Sequence, residues 1–534
     1  MSSDTTTPPD TTIPPPPAPP PEAPAPGLKR TAAVNAIWTV AGFGVGQVLR
    51  FAANIVMARL LFPEAFGLVA LASVFLMGLH LFADVGIRTS IIQHKRGDEP
   101  DFLNTAWTLQ IIRGFLLFLA SMVLAWPAAY LRETPEPLLF WVLIIMGSTA
   151  IIEGFNSTAI VTLSRRLQPA RRVLLELGTQ VASLSVMIGW AWTSPTVWAL
   201  VAGSVVSPLV TMLLSHVVIP GFRNRLHWDR EAVHDLMHFG KWIYISTACT
   251  FLAGQADRLV VGFQSLALLG VYHFATQLAQ IPAQLMSAFA GQLVFPLYSR
   301  LHQSGRDIKE FFNRIHLVGA GFASLLIAGV IATGQSVVQC LYDQRYQGAA
   351  WMLPLLAIGV WFQVLESLEG SILWALGRSR PSAISNAGKV LALFVAVPVG
   401  YHLAEIPGMV LGFVVGDFVR YILTVYFLRL DGLNVLRYDV AMSLFIIGAS
   451  FAGIAAADWL RPYPLRAELL AALAVTPDSH WPGTIPWAGL KASYTKDYST
   501  MFIRLLVEGG VVTGLWSLAA LACWRAGLLK KPTA

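Results

Sequence analysis

The chain has 534 residues, of which 55% are hydrophobic and 13% are charged, and its formal net charge at pH 7 is +7. A chain of this length cannot hide so much apolar surface in a water-soluble core, so the composition excludes a soluble globular protein. The positive charge is divided among many short connections and forms no single basic patch, which excludes nucleic acid as a partner.

The first 28 residues form a proline-rich tail that holds 11 of the 32 prolines. Such a tract favours extended polyproline II and cannot build a core. We therefore predict a disordered cytoplasmic tail over 1–28, and a ligand for a proline-binding partner is the alternative. The tail has no apolar stretch, so we expect the first apolar segment to act as an uncleaved anchor.

Apolar segments of membrane-spanning length fill the rest of the chain. About 20 apolar residues are needed for one helix to cross the hydrocarbon of a bilayer, and the sequence meets this length repeatedly. An outer-membrane barrel would instead show alternating segments of about ten residues. The prediction is an all-α polytopic membrane protein with about 14 transmembrane helices, at 33–61, 66–92, 103–130, 137–163, 172–193, 196–219, 240–262, 266–298, 311–333, 350–375, 384–403, 407–428, 439–459 and 501–524.

The basic residues predict the orientation of these helices. Most of the 37 Lys and Arg residues fall in even-numbered connections or at the two termini. Short loops rich in Lys and Arg stay in the cytoplasm. Both termini are therefore predicted to be cytoplasmic, and the connection 461–500 is predicted to lie outside. The odd-numbered connections hold only Arg132, Arg345, Arg461, Arg466, Lys491 and Lys496.

The sequence pattern indicates that the chain consists of two related halves. In the first half a helix ends at Arg59 and the next begins around Gly67, and in the second half Arg258 and Gly270 have corresponding places. An even number of helices per repeat gives two parallel bundles related by an axis along the membrane normal. The alternative is that two membrane helices share this composition by chance.

The repeat predicts the domain boundaries. Two pseudo-symmetric six-helix bundles are expected, with two further helices outside the repeat. The predicted divisions are an N-lobe at 29–219, a cytoplasmic linker at 220–239, a C-lobe at 240–430, and the extra helices with their long periplasmic loop at 431–534.

Several short motifs in a fixed order resemble the Wzx-type oligosaccharide flippases. These belong to the polysaccharide-transporter branch of the multidrug/oligosaccharidyl-lipid/polysaccharide exporter superfamily. The resemblance covers about 30–460, and the loop 461–500 departs from it. The motifs are Ala58–Gly67, Phe82–Gln93, Phe102–Trp107, Gly154–Thr158 with Arg165 and Arg166, Ala256–Arg258, Leu269–Tyr272 to Pro282, and Phe295–Pro296.

The resemblance implies a transporter and not an enzyme. The implied substrate is a polyprenyl-diphosphate-linked oligosaccharide, which two lobes would move across the bacterial cytoplasmic membrane by alternating access for surface polysaccharide biosynthesis. Candidate partners are a polysaccharide polymerase and a chain-length regulator. Two alternatives stay open: a multidrug or lipid II type exporter of the same superfamily, and a polytopic polysaccharide polymerase or ligase.

Such a substrate needs cations for its diphosphate and polar side chains for its sugars. A charged side chain at the bilayer centre costs about 2.5–3.5 kcal/mol on insertion scales, so it must face protein or water. The amides of the segment 266–298 recur on one helix face, which suits sugar hydroxyls. A structural role between helices is the alternative for each. The predicted substrate-binding residues are Arg50, Asn54, Arg113, Arg258, Gln277, Gln280 and Gln284.

Three acidic residues inside apolar segments are predicted to couple transport to an ion. Glu153 has no basic partner on its own helix, and Glu366 and Glu369 are one turn apart. Two buried acids this close do not both ionise readily, which suits a proton-coupling site. Pairing with an arginine of another helix is the alternative.

Other charges have partners on their own helix at i,i+3 or i,i+4 spacing, which predicts local ion pairs. These pairs are Asp84–Arg88, Asp417–Arg420, Arg504–Glu508 and Arg172–Glu176.

No metal site and no cofactor are expected. The three cysteines are too widely spaced for a zinc site. His234 and His238 have i,i+4 spacing but lack the HExxH glutamate, so a solvated helix is predicted there. The glycines of Gly42–Gly46 lie within an apolar segment, so they indicate close helix packing and not a nucleotide loop.

The predicted topology can be tested by labelling single cysteines in a cysteine-free background. A membrane-impermeant reagent applied to intact cells should label a cysteine at His480 and should not label one at Gln168. The reverse pattern would overturn the assignment of both termini to the cytoplasm.

Overall fold

A computed structural model describes residues 26–459 and 498–525, except for parts of the connections around 84–98, 132–133, 159–168, 218–243, 295–307 and 377–379. Residues 1–25 of the predicted tail, 461–497 of the predicted loop, His234, His238 and the Asp84–Arg88 pair lie outside the described residues. The tail and the loop were predicted to extend too far, because 26–28 and 498–500 are helical. The helices are α1 Pro26–Leu60, α2 Pro63–Phe82, α3 Pro100–Tyr130, α4 Pro137–Gly147, α5 Thr149–Gly154, α6 Pro169–Thr193, α7 Val197–Val217, α8 Tyr244–Gln264, α9 Leu266–Ala279, α10 Ile281–Phe289, α11 Ile308–Leu341, α12 Gly348–Ala375, α13 Arg380–Leu430, α14 Leu436–Trp459 and α15 Tyr498–Arg525.

The described residues are almost entirely helical, which confirms the predicted all-α class. Ten of these helical stretches are long and apolar enough to cross a membrane. The count of 14 is not confirmed, although each predicted segment overlaps a helix. The stretch α13 alone spans two predicted segments, because the backbone at Ala404 and Glu405 leaves the helical region between them.

Local sequence explains where several helices begin. Prolines stand at the first position of α2, α3 and α4, namely Pro63, Pro100 and Pro137. Proline is favoured there because its fixed φ suits a helix and its missing N–H leaves no donor unpaired. The helix α9 begins differently, because the Ser265 side chain accepts a hydrogen bond from the backbone N–H of Leu268.

The helices pack as two groups, which we call the N-lobe (α1–α7) and the C-lobe (α8–α13). In the N-lobe α1 packs along α6, α6 along α7, and α3 against α4 and α5. In the C-lobe α12 is central and packs against α9, α10, α11 and α13. The last two helices, α14 and α15, pack against each other and against α11 of the C-lobe.

The two lobes meet mainly through α2, which packs against α8 and α9. Gly67 is the fifth residue of α2 and lies against the carbonyl of Leu266, the first residue of α9. Gly270 is the fifth residue of α9 and lies against the carbonyl of Pro63, the first residue of α2. The contact is reciprocal, as a two-fold relation between the lobes requires, and a Cβ at either glycine would overlap the facing backbone.

Aromatic rings seal the same end of the molecule. The rings of Phe66 and Phe274 have centroids 4.7 Å apart, and Tyr346 lies 4.8 Å from Phe274. The Tyr346 hydroxyl donates to the Leu61 carbonyl at 2.9 Å, which ties the end of α1 to the C-lobe. Arg345 stacks on the Phe62 ring at 4.7 Å. We call this set of residues, with Gly67 and Gly270, the closed end.

Replacing Gly67 by leucine should force the lobes apart at the closed end, because its Cβ would meet backbone that cannot rotate away. Cysteines introduced at Phe66 and Phe274 in a cysteine-free chain should crosslink readily with a short reagent, and Gly67→Leu should reduce this crosslinking severalfold. Gly44→Leu is the matched control, because a Cβ there meets nothing within 4 Å. Equal crosslinking in all three chains would show that the closed end does not depend on the glycine contact.

Candidate functional site

A buried charge network joins four helical stretches of the C-lobe. The Lys389 ammonium lies 2.6 Å from the Asp417 carboxylate, and both side chains are buried. The other Asp417 oxygen accepts a hydrogen bond from the Gln363 amide at 2.9 Å. Gln363 in turn accepts from the Gln280 amide at 3.0 Å. Both ionised groups of this network have partners. Lys389 and Asp417 pair with each other, and Asp417 also accepts a hydrogen bond from Gln363.

Two charges on α13 therefore do not pair as the sequence predicted. Asp417 pairs with Lys389, and Arg420 pairs with Glu366 of α12 at 2.8 Å. The prediction of an Asp417–Arg420 pair was wrong, because Asp417 pairs with Lys389 from the first half of α13 and Arg420 pairs with Glu366 from α12. The pairs Arg504–Glu508 and Arg172–Glu176 are confirmed, each at 2.7 Å.

The acids predicted to couple transport to an ion are in three different environments. Glu366 has the interhelical arginine partner that was the alternative. Glu369 is fully buried one turn away, beside His316 and Asp439. Glu153 is exposed at the end of α5, and its carbonyl accepts from the Gln110 amide at 2.8 Å. The structure therefore does not group these three, and their coupling role stays a prediction.

Arg50 is exposed on α1, where its guanidinium donates to the Gln47 side chain at 3.1 Å. Gln180 of α6 lies beside it and donates to the Gly46 carbonyl at 2.8 Å. Asn54, one turn further along α1, is half-buried. Arg50 thus carries its full charge on an exposed surface lined by amides.

Arg113 and Arg258 also bind neutral oxygens. Arg113 donates to the carbonyl of His80, in the last turn of α2, at 3.0 Å, and its Nε is buried without a partner among the described residues. Arg258 donates to the side chain of Gln255 at 3.0 Å. The Gln255 amide contacts the sulfur of Met77 on α2 at 3.5 Å, so Arg258 lies close to where the two lobes meet.

The predicted polar stripe of α9 and α10 divides into two parts. Gln280 is engaged in the C-lobe network and acts as a structural amide. Gln284 is exposed, and the Gln277 side-chain oxygen has no hydrogen-bond donor among the described residues. Gln277 and Gln284 are therefore the members with capacity for a ligand.

Six other arginines of the described residues differ from these three, because they have carboxylate partners. A carboxylate cancels most of the field of a guanidinium, whereas an amide or carbonyl leaves the net charge in place. Arg50, Arg113 and Arg258 are therefore the candidate cations for an anionic ligand. The neutralised pairs are Arg96 with Glu99 and Asp229, Arg172 with Glu176, Arg345 with Asp343, Arg378 with Asp431, Arg420 with Glu366, and Arg504 with Glu508.

One of these pairs lies at the closed end, between α11 and α12. A hydrogen bond from Arg345 to Asp343 raises the pKa of the guanidinium above its usual value. Arg345 also donates to the Arg59 carbonyl at the end of α1, at 3.0 Å. This cation is therefore neutralised by Asp343 and contacts the N-lobe in this structure, so it is not available to a ligand.

Sequence reasoning missed four polar residues that the structure makes central: Lys389, Asp257, His316 and Asp439. Lys389 had a signal, because it is a lysine inside the apolar segment 384–403. Asp257 accepts from the Tyr272 hydroxyl at 2.7 Å, and both residues stand in a motif already noted. His316 and Asp439 had no signal, because they are 123 residues apart and come from separate helices.

The fold and these charges define a multi-pass helical membrane transporter with two lobes. A solved structure titled lipid II flippase MurJ, inward closed conformation, matches 92% of this chain and 100% of its own, with a TM-score of 0.67 and 12% identity. At this identity the likeness shows the fold alone.

Sequence comparison then identifies the family. The polysaccharide biosynthesis protein family matches residues 56–351, more than half of the chain. The chain belongs to this family. It is 22% identical to the lipopolysaccharide biosynthesis protein WzxC of Escherichia coli, over 73% of this chain and 79% of that protein. It is also 22% identical to a putative O-antigen transporter of Shigella flexneri, over 74% of this chain and 96% of that protein. The predicted resemblance to Wzx-type flippases is confirmed.

The C-lobe network predicts a strong effect at Asp417. Asp417→Asn keeps the size of the side chain but leaves the Lys389 charge buried without a carboxylate, which should cost about 3–5 kcal/mol of stability. The measurement is the thermal unfolding midpoint of the purified protein in detergent. Adding Lys389→Met to the same chain should recover much of the loss, because it removes the unpaired charge.

Glu176→Gln is the matched control, because it breaks an ion pair that is largely exposed and worth at most about 1 kcal/mol. A midpoint for Asp417→Asn equal to that of Glu176→Gln would contradict the structural role of the network. A double variant no more stable than Asp417→Asn alone would contradict it as well.

Proposed function

We propose that this protein is a flippase that moves polyprenyl-diphosphate-linked oligosaccharides across the bacterial cytoplasmic membrane for surface polysaccharide biosynthesis. Family membership and the two-lobed transporter fold support the class. The observation that carries the substrate class is that Arg50, Arg113 and Arg258 bind only neutral oxygens among the described residues. A diphosphate supplies the missing negative charge.

The energetic reason is the cost of charge in a membrane. A guanidinium without a carboxylate partner is stable there only where it faces water, dipoles or an anion. The fork of arginine donors matches phosphate oxygens and makes charge-assisted hydrogen bonds. Gln277 and Gln284 offer amide groups of the kind that sugar hydroxyls bind. The residues thus supply cations for the diphosphate and amides for the sugars.

The closed end supports alternating access. Gly67 and Gly270 meet in a reciprocal contact at the closed end, and α2 also contacts α8 further along, where the Phe82 and Phe251 rings have centroids 6.4 Å apart. With both termini in the cytoplasm, as the distribution of Lys and Arg predicts, the closed end would face outward. Transport would then require this contact to open while the lobes close at the opposite end.

The predicted partners remain part of this proposal. A polysaccharide polymerase and a chain-length regulator would take the flipped repeat unit at the outer surface. The N-lobe at 29–219, the linker at 220–239, the C-lobe at 240–430 and the extra helices at 431–534 keep the boundaries predicted from the sequence as proposed units.

Arg50→Ala should strongly reduce flipping without preventing membrane insertion, because Arg50 is exposed and no carboxylate depends on it for neutralisation. Loss of a charged hydrogen bond costs about 1.5–3 kcal/mol, so flux at limiting substrate should fall about tenfold or more. The assay follows a labelled polyprenyl-diphosphate oligosaccharide in proteoliposomes as it becomes accessible to an impermeant hydrolase. Equal flux at equal protein abundance would remove Arg50 from the site.

Arg504→Ala is the contrasting variant. It leaves the buried Glu508 carboxylate without its arginine, so it should lower the amount of folded protein. The flux per folded molecule should stay close to that of the unchanged chain. If Arg504→Ala reduces flux per molecule as much as Arg50→Ala, the distinction between neutralised and free arginines fails.

A competition experiment between substrates tests the proposed substrate class. Lipid II and a cationic drug are offered beside the labelled oligosaccharide lipid, and flux of each is measured in the same vesicles. Faster flux of the oligosaccharide lipid supports the proposal. Preference for lipid II or the drug would replace it with one of the two exporter alternatives.

A further inference from the structure

Three ionisable side chains meet inside the bundle at the place where α14 joins the C-lobe. His316 is in α11, Glu369 is in α12 and Asp439 is in the first turn of α14. Their exposed fractions are 1%, 0% and 2%. One ligand-type atom from each, an imidazole nitrogen or a carboxylate oxygen, lies within 4.8 Å of the others. We call these residues the α14 triad.

The hydrogen bonds of the triad are unevenly distributed. An Asp439 oxygen lies 2.6 Å from His316 Nε2, and the other accepts from the Tyr421 hydroxyl at 2.9 Å. In the described part of the chain, neither oxygen of Glu369 receives a hydrogen bond from a donor group. His316 Nδ1 also has no hydrogen-bond partner there. A fully buried carboxylate in this condition is costly, so it must be neutralised either by a proton or by a bound cation.

No Lys or Arg of the described residues pairs with Glu369. The nearest arginine on the facing helix, Arg420, is committed to Glu366 at 2.8 Å. Among the described residues no ion pair connects a Lys or Arg to Glu369 or Asp439. Two carboxylates and a neutral imidazole would leave a charge of −2 in a dry site, and a divalent cation matches that charge.

The donor set selects the kind of cation. One imidazole nitrogen with two carboxylate oxygens suits borderline ions such as Zn²⁺ and Mn²⁺. Mg²⁺ and Ca²⁺ prefer oxygen ligands alone. Bonds of about 2.0–2.2 Å place two ligand atoms roughly 3–4 Å apart, which the triad reaches with small side-chain shifts. The 2.6 Å separation of His316 Nε2 and Asp439 is that of a hydrogen bond, so a cation bound there would take the place of the Nε2 proton. The neutral imidazole would then keep its one proton on Nδ1.

We propose that His316, Glu369 and Asp439 form a binding site for one divalent cation of the Zn²⁺ or Mn²⁺ type, which fastens α14 to α11 and α12. The Tyr421 hydroxyl, bonded to the second oxygen of Asp439, orients that ligand. Because α15 packs on α14 and α11, the bound cation would hold both extra helices to the C-lobe. The site is separate from the arginines assigned to the substrate.

The test uses the full chain, purified in detergent, stripped with a chelator and then titrated with ZnCl₂ or MnCl₂. About one equivalent should bind, with a rise in the thermal unfolding midpoint. Glu369→Gln and His316→Gln should each weaken binding about tenfold or more. Glu366→Gln and His227→Gln are the controls, because the first acid has an arginine partner and the second residue is an exposed histidine.

Failure of the folded, stripped protein to bind either ion would overturn the site. So would unchanged affinity in Glu369→Gln, or an equal loss in Glu366→Gln. If the triad variants do not fold, X-ray absorption of the zinc-loaded unchanged chain decides instead. One nitrogen and at least two oxygens at about 2.0–2.2 Å support the triad, and sulfur or several imidazoles contradict it.

Discussion

The placement of charge in this protein follows from one constraint, the cost of leaving an ionised group in hydrocarbon without a partner. In the C-lobe the constraint is met inside the protein, since Lys389 pairs with Asp417 and Arg420 pairs with Glu366. In the N-lobe Arg50 and Arg113 have only neutral acceptors among the described residues. Breaking a buried pair costs several kcal/mol, whereas a guanidinium on neutral oxygens can exchange them for an anion at little cost. The two buried pairs of the C-lobe are thus balanced within that lobe, while Arg258 of the C-lobe has a neutral acceptor as Arg50 and Arg113 do.

The same constraint explains how the lobes can separate. A contact that must form and break during transport cannot contain buried charge pairs, because each opening would expose them. The closed end is built from backbone against glycine and from aromatic rings, with Gly67 and Gly270 as its centre. Its cation, Arg345, is neutralised on its own side of the contact by Asp343 and reaches the other lobe only through a carbonyl. Such a surface can open without a large electrostatic penalty.

Sequence patterns predicted the helical class, the family and the correspondence of Gly67 with Gly270, because hydropathy and short spacings are local properties. Side-chain partners were less predictable. The i,i+4 rule succeeded for Arg504 and Glu508, but the i,i+3 rule failed for Asp417 because Lys389 reaches it from another part of α13. Burial decides between such partners, and a single sequence does not contain the packing that sets burial. Gln47 and Gln255 stand three residues before Arg50 and Arg258, so spacing indicates these two contacts. The His80 carbonyl that binds Arg113 was visible only in three dimensions.

The two helices outside the repeat, α14 and α15, are held to the C-lobe by contacts that the sequence pattern did not predict. Beyond apolar contact, α14 and α15 are joined to the C-lobe by polar groups. Ser336 donates to the Glu508 carboxylate, the Trp516 indole donates to the Gly321 carbonyl, and Trp361 donates to Ser443. A hydrogen bond in a dry interior is directional and resists sliding, whereas apolar helix faces in lipid have little preference for one register. With these bonds fixed, movement of the C-lobe carries α14 and α15 with it as one body. The described contacts between the lobes lie elsewhere, on α2 with α8 and α9 and between the end of α1 and the connection from α11 to α12.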